Sequence, residues 1–234
     1  MLTRLVFVNV AMFTLVMTLR LLKKLGALDF ESDSGVFGLA TTWKAELLLM
    51  RPWSVLTHLF VHVDVWHLVM NMLWLYWMGR LYMGQFGERR LLSTYFVGGL
   101  AGFLVYALAS NVFPGLQQGT FAYGASAAVM AIMSATATAQ PNYMVRLFLL
   151  GSIPLKYLAI GWVLLDYFAL GQGANPGGNL AHLGGAAFGY AMIKQASAGR
   201  DWVRWFERLI DGVVTLWKGG GVPNLRRKTK FRKV

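Results

Sequence analysis

Four polar side chains stand out in a strongly apolar chain because their residue types could perform acyl-transfer chemistry. They are Ser126, His182, His67 and Asn71. A serine hydroxyl with an imidazole in reach forms a nucleophile and its general base. A side-chain amide and a second imidazole can donate hydrogen bonds to an oxyanion. The sequence therefore raises the hypothesis of a serine hydrolase, provided that the fold brings the four residues together.

The composition indicates that these residues lie within a membrane protein. Of the 234 residues, 56% are hydrophobic and nine are tryptophan, and the mean hydropathy is +0.50. This is too apolar for an ordinary soluble domain. The chain contains no cysteine, which excludes disulfides, thiolate metal sites and a cysteine nucleophile.

Apolar segments separated by polar loops predict six membrane-spanning helices. We therefore predict an all-α polytopic membrane protein whose six helices form one bundle, with Asp64 as the N-cap of the second helix. The segment 140–154 is too broken to span and is expected to lie along the surface. The predicted spans are residues 2–22, 65–82, 91–110, 122–139, 155–170 and 180–196.

The distribution of lysine and arginine predicts the orientation of the bundle. These residues occur in the loops after the second and fourth spans and in the tail, whereas the loops after the third and fifth spans carry no charge. By the positive-inside rule, both termini are then cytoplasmic. We expect a multi-pass protein of a bacterial inner (plasma) membrane.

This topology brings the four polar residues to a similar depth, because the second, fourth and sixth spans all enter from the outer face. His67 and Asn71 come about one and two turns into the second span, and they share a helix face because they are four residues apart. Ser126 comes about one turn into the fourth span, and His182 just inside the sixth. At a rise of about 1.5 Å per residue, all four lie on the order of 5–10 Å below the outer surface.

Small residues surround the serine and the second histidine. Gly124 and Ala127 leave the start of the fourth span without bulk. In the sixth span, Ala181, Gly185 and Gly189 form a ridge of small residues at four-residue spacing, which permits close helix packing. If the two segments face each other, the serine hydroxyl and the imidazole can come within hydrogen-bonding distance.

The serine and the asparagine also have a purely structural explanation. A serine in a membrane helix usually bonds its own backbone, and an asparagine can bond a neighbouring helix. An intramembrane histidine is a functional candidate by default. His58 and His62, which precede the second span, are expected to make structural hydrogen bonds. With four histidines, no cysteine and no HExxH motif, we expect neither a metal site nor a cofactor.

Three motifs resemble those of the rhomboid intramembrane serine proteases. HLFVHVDVWHLVMN, GASA and AHLGGAAFG meet the family patterns HxxxxHxxxN, GxSx and AHxxGxxxG on the expected spans and in the expected order. The resemblance covers nearly the whole chain, from the first span to about residue 196. The matching residues are His62, His67, Asn71, Gly124, Ser126, Ala181, His182, Gly185 and Gly189.

The resemblance implies a specific site and reaction. It implies a Ser126–His182 catalytic dyad, with an oxyanion hole formed by the Ser126 amide and the side chains of His67 and Asn71. His62, Gly124, Gly185 and Gly189 would support this site structurally. The expected activity is that of a serine endopeptidase cleaving transmembrane-segment substrates near the outer face.

An alternative from the same family is a pseudoprotease that binds unstable transmembrane segments without cleaving them. Its support is Ala127, where the family usually has glycine. Asp166 in the fifth span is an intramembrane acid. We expect it to make a structural hydrogen bond, since nothing in the sequence places it beside His182. The predicted site is therefore a pair without a third acid.

The C-terminal segment is predicted to be separate from the catalytic core, which we assign to residues 1–197. Within 198–234, DWVRWFERLIDGVVTLW has apolar residues at three- and four-residue spacing, which predicts an amphipathic helix. We expect it to lie in the inner interface, and the alternative is a helix packed on the cytoplasmic end of the bundle. The net charge of +12 favours an anionic membrane surface over nucleic acid as a partner. The basic residues that end the tail are Arg226, Arg227, Lys228, Lys230, Arg232 and Lys233.

Overall fold

Long helices account for most of the chain in the computed structural model, which describes residues 1–27, 35–117, 120–147, 151–173 and 175–217. The short helices are α2 (Gly35–Gly38), α3 (Ala45–Met50) and α4 (Ser54–Thr57), with 3-10 turns at His58–Phe60 and Pro114–Leu116. The longer helices are α1 (Leu2–Lys24), α5 (Val65–Phe86), α6 (Glu88–Val112), α7 (Ser126–Ala139), α8 (Leu155–Gly171), α9 (Pro176–Ser197) and α10 (Arg204–Trp217).

The apolar helices indicate an integral membrane protein. Within the described residues, α1 and α6 are long and apolar enough to cross a membrane. A third span results if residues 54–60 and α5, which meet at a 90° bend, are counted together, and α7 is apolar but shorter. The predicted count of six spans therefore stays a prediction.

Helix α7 lies at the centre of the bundle, since 11 of its 14 residues are buried. It packs against α5, α6 and α9. Its many alanines let these neighbours approach closely, because each contributes only a methyl group to the contact. The first residue of this central helix is Ser126, so the helix fixes the position of the candidate nucleophile.

Two pairs of short strands depart from the all-α prediction. β1 (Thr41–Thr42) pairs antiparallel with β2 (Phe121–Ala122) and so fixes the segment that leads into α7. β3 (Met144–Leu147) and β4 (Gly151–Pro154) form a second antiparallel pair. The second pair lies within 140–154, where a positive φ of 72° at Gly151 is incompatible with a continuous helix.

The C-terminal helix α10 is attached to the start of α6 by ion pairs. The guanidinium of Arg90, which is 1% exposed, donates two hydrogen bonds of 2.8 Å to Asp201 and lies 3.4 Å from Glu207. The ring of Phe206 packs on Phe96, with centroids 5.6 Å apart. The predicted boundary between the core and the C-terminal segment at residue 197 stays a prediction. The contacts of Arg90 and Phe96 join residues on its two sides.

One face of α10 leaves large apolar side chains exposed. The acids Glu207 and Asp211 face α6, where Asp211 pairs with Arg89. The predicted basic end of the tail lies outside the described residues. The exposed apolar residues of α10 are Trp205, Leu209, Val213, Val214 and Leu216.

Candidate active site

Helix α5 carries two of the candidate residues in its first two turns. The Asp64 side chain accepts a 2.9 Å hydrogen bond from the His67 amide, which confirms Asp64 as the predicted N-cap. Asn71 lies one turn after His67, is buried, and donates from Nδ2 to the His67 carbonyl at 2.8 Å. One amide proton of Asn71 is thereby used within the helix, and the second is left for another acceptor.

The segment before Ser126 adopts a conformation that only glycine tolerates easily. Gly124 has a φ of 124°, outside the range favoured by residues with a side chain. A Cβ at this position would also lie 2.8 Å from the His67 ring. Glycine at position 124 therefore permits both the backbone turn and the close approach of the His67 imidazole to the start of α7.

Two buried histidines hold this segment in place. The His58 carbonyl accepts a 2.9 Å hydrogen bond from the Gly124 amide. His62 Nε2 lies 3.4 Å from the amide nitrogen of Ala125, and His62 Nδ1 lies 3.3 Å from the Phe60 carbonyl. Only a neutral ring protonated on Nδ1 satisfies both contacts, since Nδ1 must donate and Nε2 must accept. In agreement, burial and the nearby charge of His67 lower the pKa of His62 to about 4.

Helix α9 approaches α7 through its glycines. A Cβ at Gly185 would overlap the carbonyl oxygen of Ala127, and a Cβ at Gly189 would overlap that of Ala131. The ridge predicted from the sequence therefore packs directly on the α7 backbone. As a result, His182 Nε2 lies 2.7 Å from Ser126 Oγ.

The same residues of α7 also meet glycines of α6, which were not predicted as a contact from the sequence. A Cβ at Gly98 would overlap the Ala131 side chain, and one at Gly102 would lie 2.7 Å from the Ala127 Cβ. The four-residue spacing of these glycines was a signal that could have found this contact. The methyl group of Ala127 is thus accommodated by the missing side chain of Gly102.

One contact of the site was not predicted from the sequence, which had indicated a pair without a third acid. Asp166 Oδ1 on α8 lies 2.9 Å from His182 Nδ1, on the side of the imidazole ring opposite Ser126. The expectation that Asp166 makes a hydrogen bond was met, but its partner is the candidate base itself. The two residues are 16 positions apart on different helices, so no local spacing links them.

Ser126 and His182 border two cavities. A cavity of about 400 Å³ extends from them toward the N-terminal ends of α5, α7 and α9, where Asp64 and Asn175 also line it. A second cavity of about 200 Å³ lies between α5 and α8 and is lined mainly by apolar side chains, with Asn71 among them. The hydroxyl therefore faces both a polar cavity and an apolar one.

The match to a known family agrees with this geometry. The family model of the Rhomboid domain matches residues 50–197, which is more than half of the chain and contains all the candidate residues. The chain therefore belongs to the rhomboid family.

Three relatives show how far the similarity extends. The chain is 31% identical to RHOMBOID-like protein 12, mitochondrial, of Arabidopsis thaliana over 58% of its own length and 44% of that protein. It is 26% identical to Rhomboid-like protease 3 of Toxoplasma gondii over 70% of its length and 59% of that protein. RHOMBOID-like protein 6, mitochondrial, of Arabidopsis thaliana is 31% identical over 49% of this chain and 31% of that protein. The matched part thus covers only a third to three-fifths of each relative.

Proposed function

We propose that the chain is an intramembrane serine endopeptidase that cleaves transmembrane segments near the outer face of the membrane. The observation that carries this proposal is the 2.7 Å contact between Ser126 Oγ and His182 Nε2 at the border of a polar cavity. The Ser126 hydroxyl thus bonds a side chain of another helix, whereas the Thr136 hydroxyl bonds the Ile132 carbonyl of its own helix at 2.6 Å. Family membership supports the same activity.

The proposed reaction proceeds through an acyl-enzyme. Ser126 Oγ attacks the substrate carbonyl while His182 Nε2 takes its proton. The imidazole then gives that proton to the leaving amine, and the peptide bond breaks. In the second half, a water molecule attacks the serine ester, with His182 again accepting and returning a proton, and the acid product is released.

The developing oxyanion would be stabilised by donors at the start of α7. The Ser126 amide is one, and the side chains of His67 and Asn71 are the others that we propose. The N-terminal end of α7 adds the favourable end of its helix dipole. Because these donors are held by a capped helix and a glycine turn, they need little rearrangement during the reaction.

The two cavities fit the two reactants that this chemistry requires. The polar cavity would admit water, which lipid does not supply. The apolar cavity between α5 and α8 would receive a substrate side chain. A helix in lipid protects its carbonyls by hydrogen bonding, so substrates should contain small or helix-weakening residues near the cleavage site.

The decisive experiment reconstitutes the purified protein in liposomes with a labile transmembrane substrate. Wild-type protein should cleave it, whereas Ser126→Ala and His182→Ala should lose cleavage and keep normal thermal unfolding. Ser134→Ala, two turns further along α7, is the matched control and should remain active. A fluorophosphonate probe should label wild-type protein at Ser126. A folded wild-type protein that neither cleaves nor reacts with the probe would refute the proposal in favour of a non-cleaving binding protein.

We also propose that the C-terminal segment binds anionic lipid of the inner leaflet, with both termini on the cytoplasmic side. The exposed apolar face of α10 (Arg204–Trp217) suits the membrane interface, and the basic residues that follow it would add about 1 kcal/mol each near anionic lipid. Adding phosphatidylglycerol to detergent micelles should raise the unfolding temperature of the full chain. A chain ending at Trp217 should gain much less, and equal gains would exclude the tail as a lipid site.

A further inference from the structure

Helix α8 is an outward-facing helix that turns one acid inward. Its described side chains are largely exposed, and Tyr167 and Phe168 are each at least 60% exposed. Only Leu155, Ala159 and Asp166 are buried. An ionisable group inside a membrane bundle is costly unless it is paired. A carboxylate at one of these three buried positions therefore calls for a specific partner.

That partner is the nitrogen of His182 that faces away from the serine. Asp166 Oδ1 is 2.9 Å from His182 Nδ1, while His182 Nε2 is 2.7 Å from Ser126 Oγ. A carboxylate oxygen only accepts hydrogen bonds, so Nδ1 must carry the proton. The neutral ring then has its lone pair on Nε2, directed at the serine hydroxyl. This is the tautomer that a general base requires.

We propose that Asp166 is a positioning residue that fixes the tautomer and orientation of His182, so that the site works as a serine–histidine–aspartate triad. This inference rests on the proposed protease function. Asp166 also stabilises the imidazolium that forms when His182 takes the serine proton, because it presents a negative charge to the protonated ring. Asp166 itself neither gains nor loses a proton in the cycle.

A purely structural role for Asp166 makes a different prediction. If the Asp166–His182 bond only holds α8 against α9, Asp166→Asn should be nearly neutral, because an amide oxygen still accepts from Nδ1–H. An amide NH₂ can equally donate to Nδ1, however, and the proton must then move to Nε2. The asparagine variant therefore keeps shape and hydrogen bonding but loses the selection of one tautomer.

The kinetic test uses wild-type, Ser126→Ala and Asp166→Asn proteins in the same liposomes, with Tyr167→Phe as a control on the same helix. We expect Asp166→Asn to lower kcat on the order of 10³–10⁴-fold, with little change in KM or in the unfolding temperature. If wild-type cleaves and Asp166→Asn cleaves equally well, the positioning role is wrong and the proposed protease stands. If wild-type itself is inactive, the proposed function fails.

A second test reads the tautomer without relying on activity. The chain has four histidines, so ¹⁵N labelling of the rings gives few signals, and the two lost in His182→Gln belong to Nδ1 and Nε2 of His182. In the neutral ring, wild-type protein should carry the proton on Nδ1. Asp166→Asn should populate the form with the proton on Nε2. A wild-type ring protonated on Nε2, or an unchanged ring in Asp166→Asn, would overturn the inference.

Discussion

Gly185 on α9 packs directly on the carbonyl of Ala127 on α7, one residue after the candidate nucleophile. A Cβ at Gly185 would overlap that oxygen, so the contact sets how closely the two helices approach. His182 lies on the same helix, about one turn before Gly185. The 2.7 Å contact between His182 and Ser126 therefore depends on the absence of a side chain at position 185.

Gly185→Ala should push α9 away from α7. We expect a loss of stability of about 1–3 kcal/mol, as is typical of overpacking, together with slower fluorophosphonate labelling of Ser126. Thermal unfolding in detergent and the labelling rate measure the two effects. Gly161→Ala is the matched control, since a Cβ at Gly161 in α8 meets no atom within 4 Å. Equal behaviour of the two variants would mean that this contact does not limit helix approach.

Loss of a proposed oxyanion donor should lower turnover without preventing substrate binding. Asn71→Ala and His67→Ala should each reduce kcat by about 10²–10³-fold, because these donors act on charge that develops in the transition state. Steady-state kinetics in liposomes separate kcat from KM. Val69→Ala, at an exposed position of α5, is the control. A raised KM with unchanged kcat in Asn71→Ala would assign that residue to substrate binding instead.

The protein should lose stability as the pH falls from about 6.5 to 4. The unfolded chain protonates its histidines near pH 6.5, whereas burial lowers the pKa of His62 to about 4 in the folded chain. The unfolded state therefore binds a proton in this range that the folded state does not. The stability from a neutral His62 is complete above pH 6.5 and falls by up to about 3 kcal/mol toward pH 4.

Unfolding temperatures measured between about pH 8 and pH 4 test the role of His62. His62→Gln should flatten the dependence, because glutamine can accept from the Ala125 amide without titrating. His58 contributes in the same direction, since burial also lowers its pKa to about 4, so part of the slope should remain in the variant. Parallel curves for the wild type and His62→Gln would contradict the assignment of a neutral His62.

The acids that pair with Arg90 should contribute much of the stability at the end of the bundle where α6 begins. Asp201→Asn should destabilise the protein by about 3–5 kcal/mol, because Arg90 is buried and would lose its bidentate partner. Asp211→Asn should cost no more than about 1 kcal/mol, since its partner Arg89 is half exposed. Thermal unfolding of the two variants checks the difference, and equal losses would argue against a special role for the buried pair.

The sequence predicted the parts of the site that depend on local spacing. The cap at Asp64 and the ridge of Gly185 and Gly189 follow from helical periodicity and small-residue patterns, whereas the pairing of His182 with Ser126 was implied by the resemblance of the motifs. The contact of Asp166 with His182 could not be predicted in this way. It depends on how α8 is rotated about its own axis. Because the outward face of such a helix is apolar like its buried face, the hydrophobic pattern does not indicate this rotation.

The Arg90–Asp201 pair could not be predicted from local spacing either. The two residues are 111 positions apart, and their meeting depends on where the chain returns after α9. The strands β3 (Met144–Leu147) and β4 (Gly151–Pro154) were also not predicted. In a segment of this length, periodicity cannot distinguish paired strands from irregular surface structure.

The order of synthesis gives the Arg90 ion pair a further consequence. Arg90 leaves the ribosome early, whereas Asp201 is made 111 residues later, after both Ser126 and His182. A chain that stops short of Asp201 thus contains every reactive group but lacks the carboxylate that neutralises its buried guanidinium. We expect such products to be unstable and quickly degraded. The stability of the bundle would then depend on completion of the chain through Asp201, the residue that pairs with Arg90.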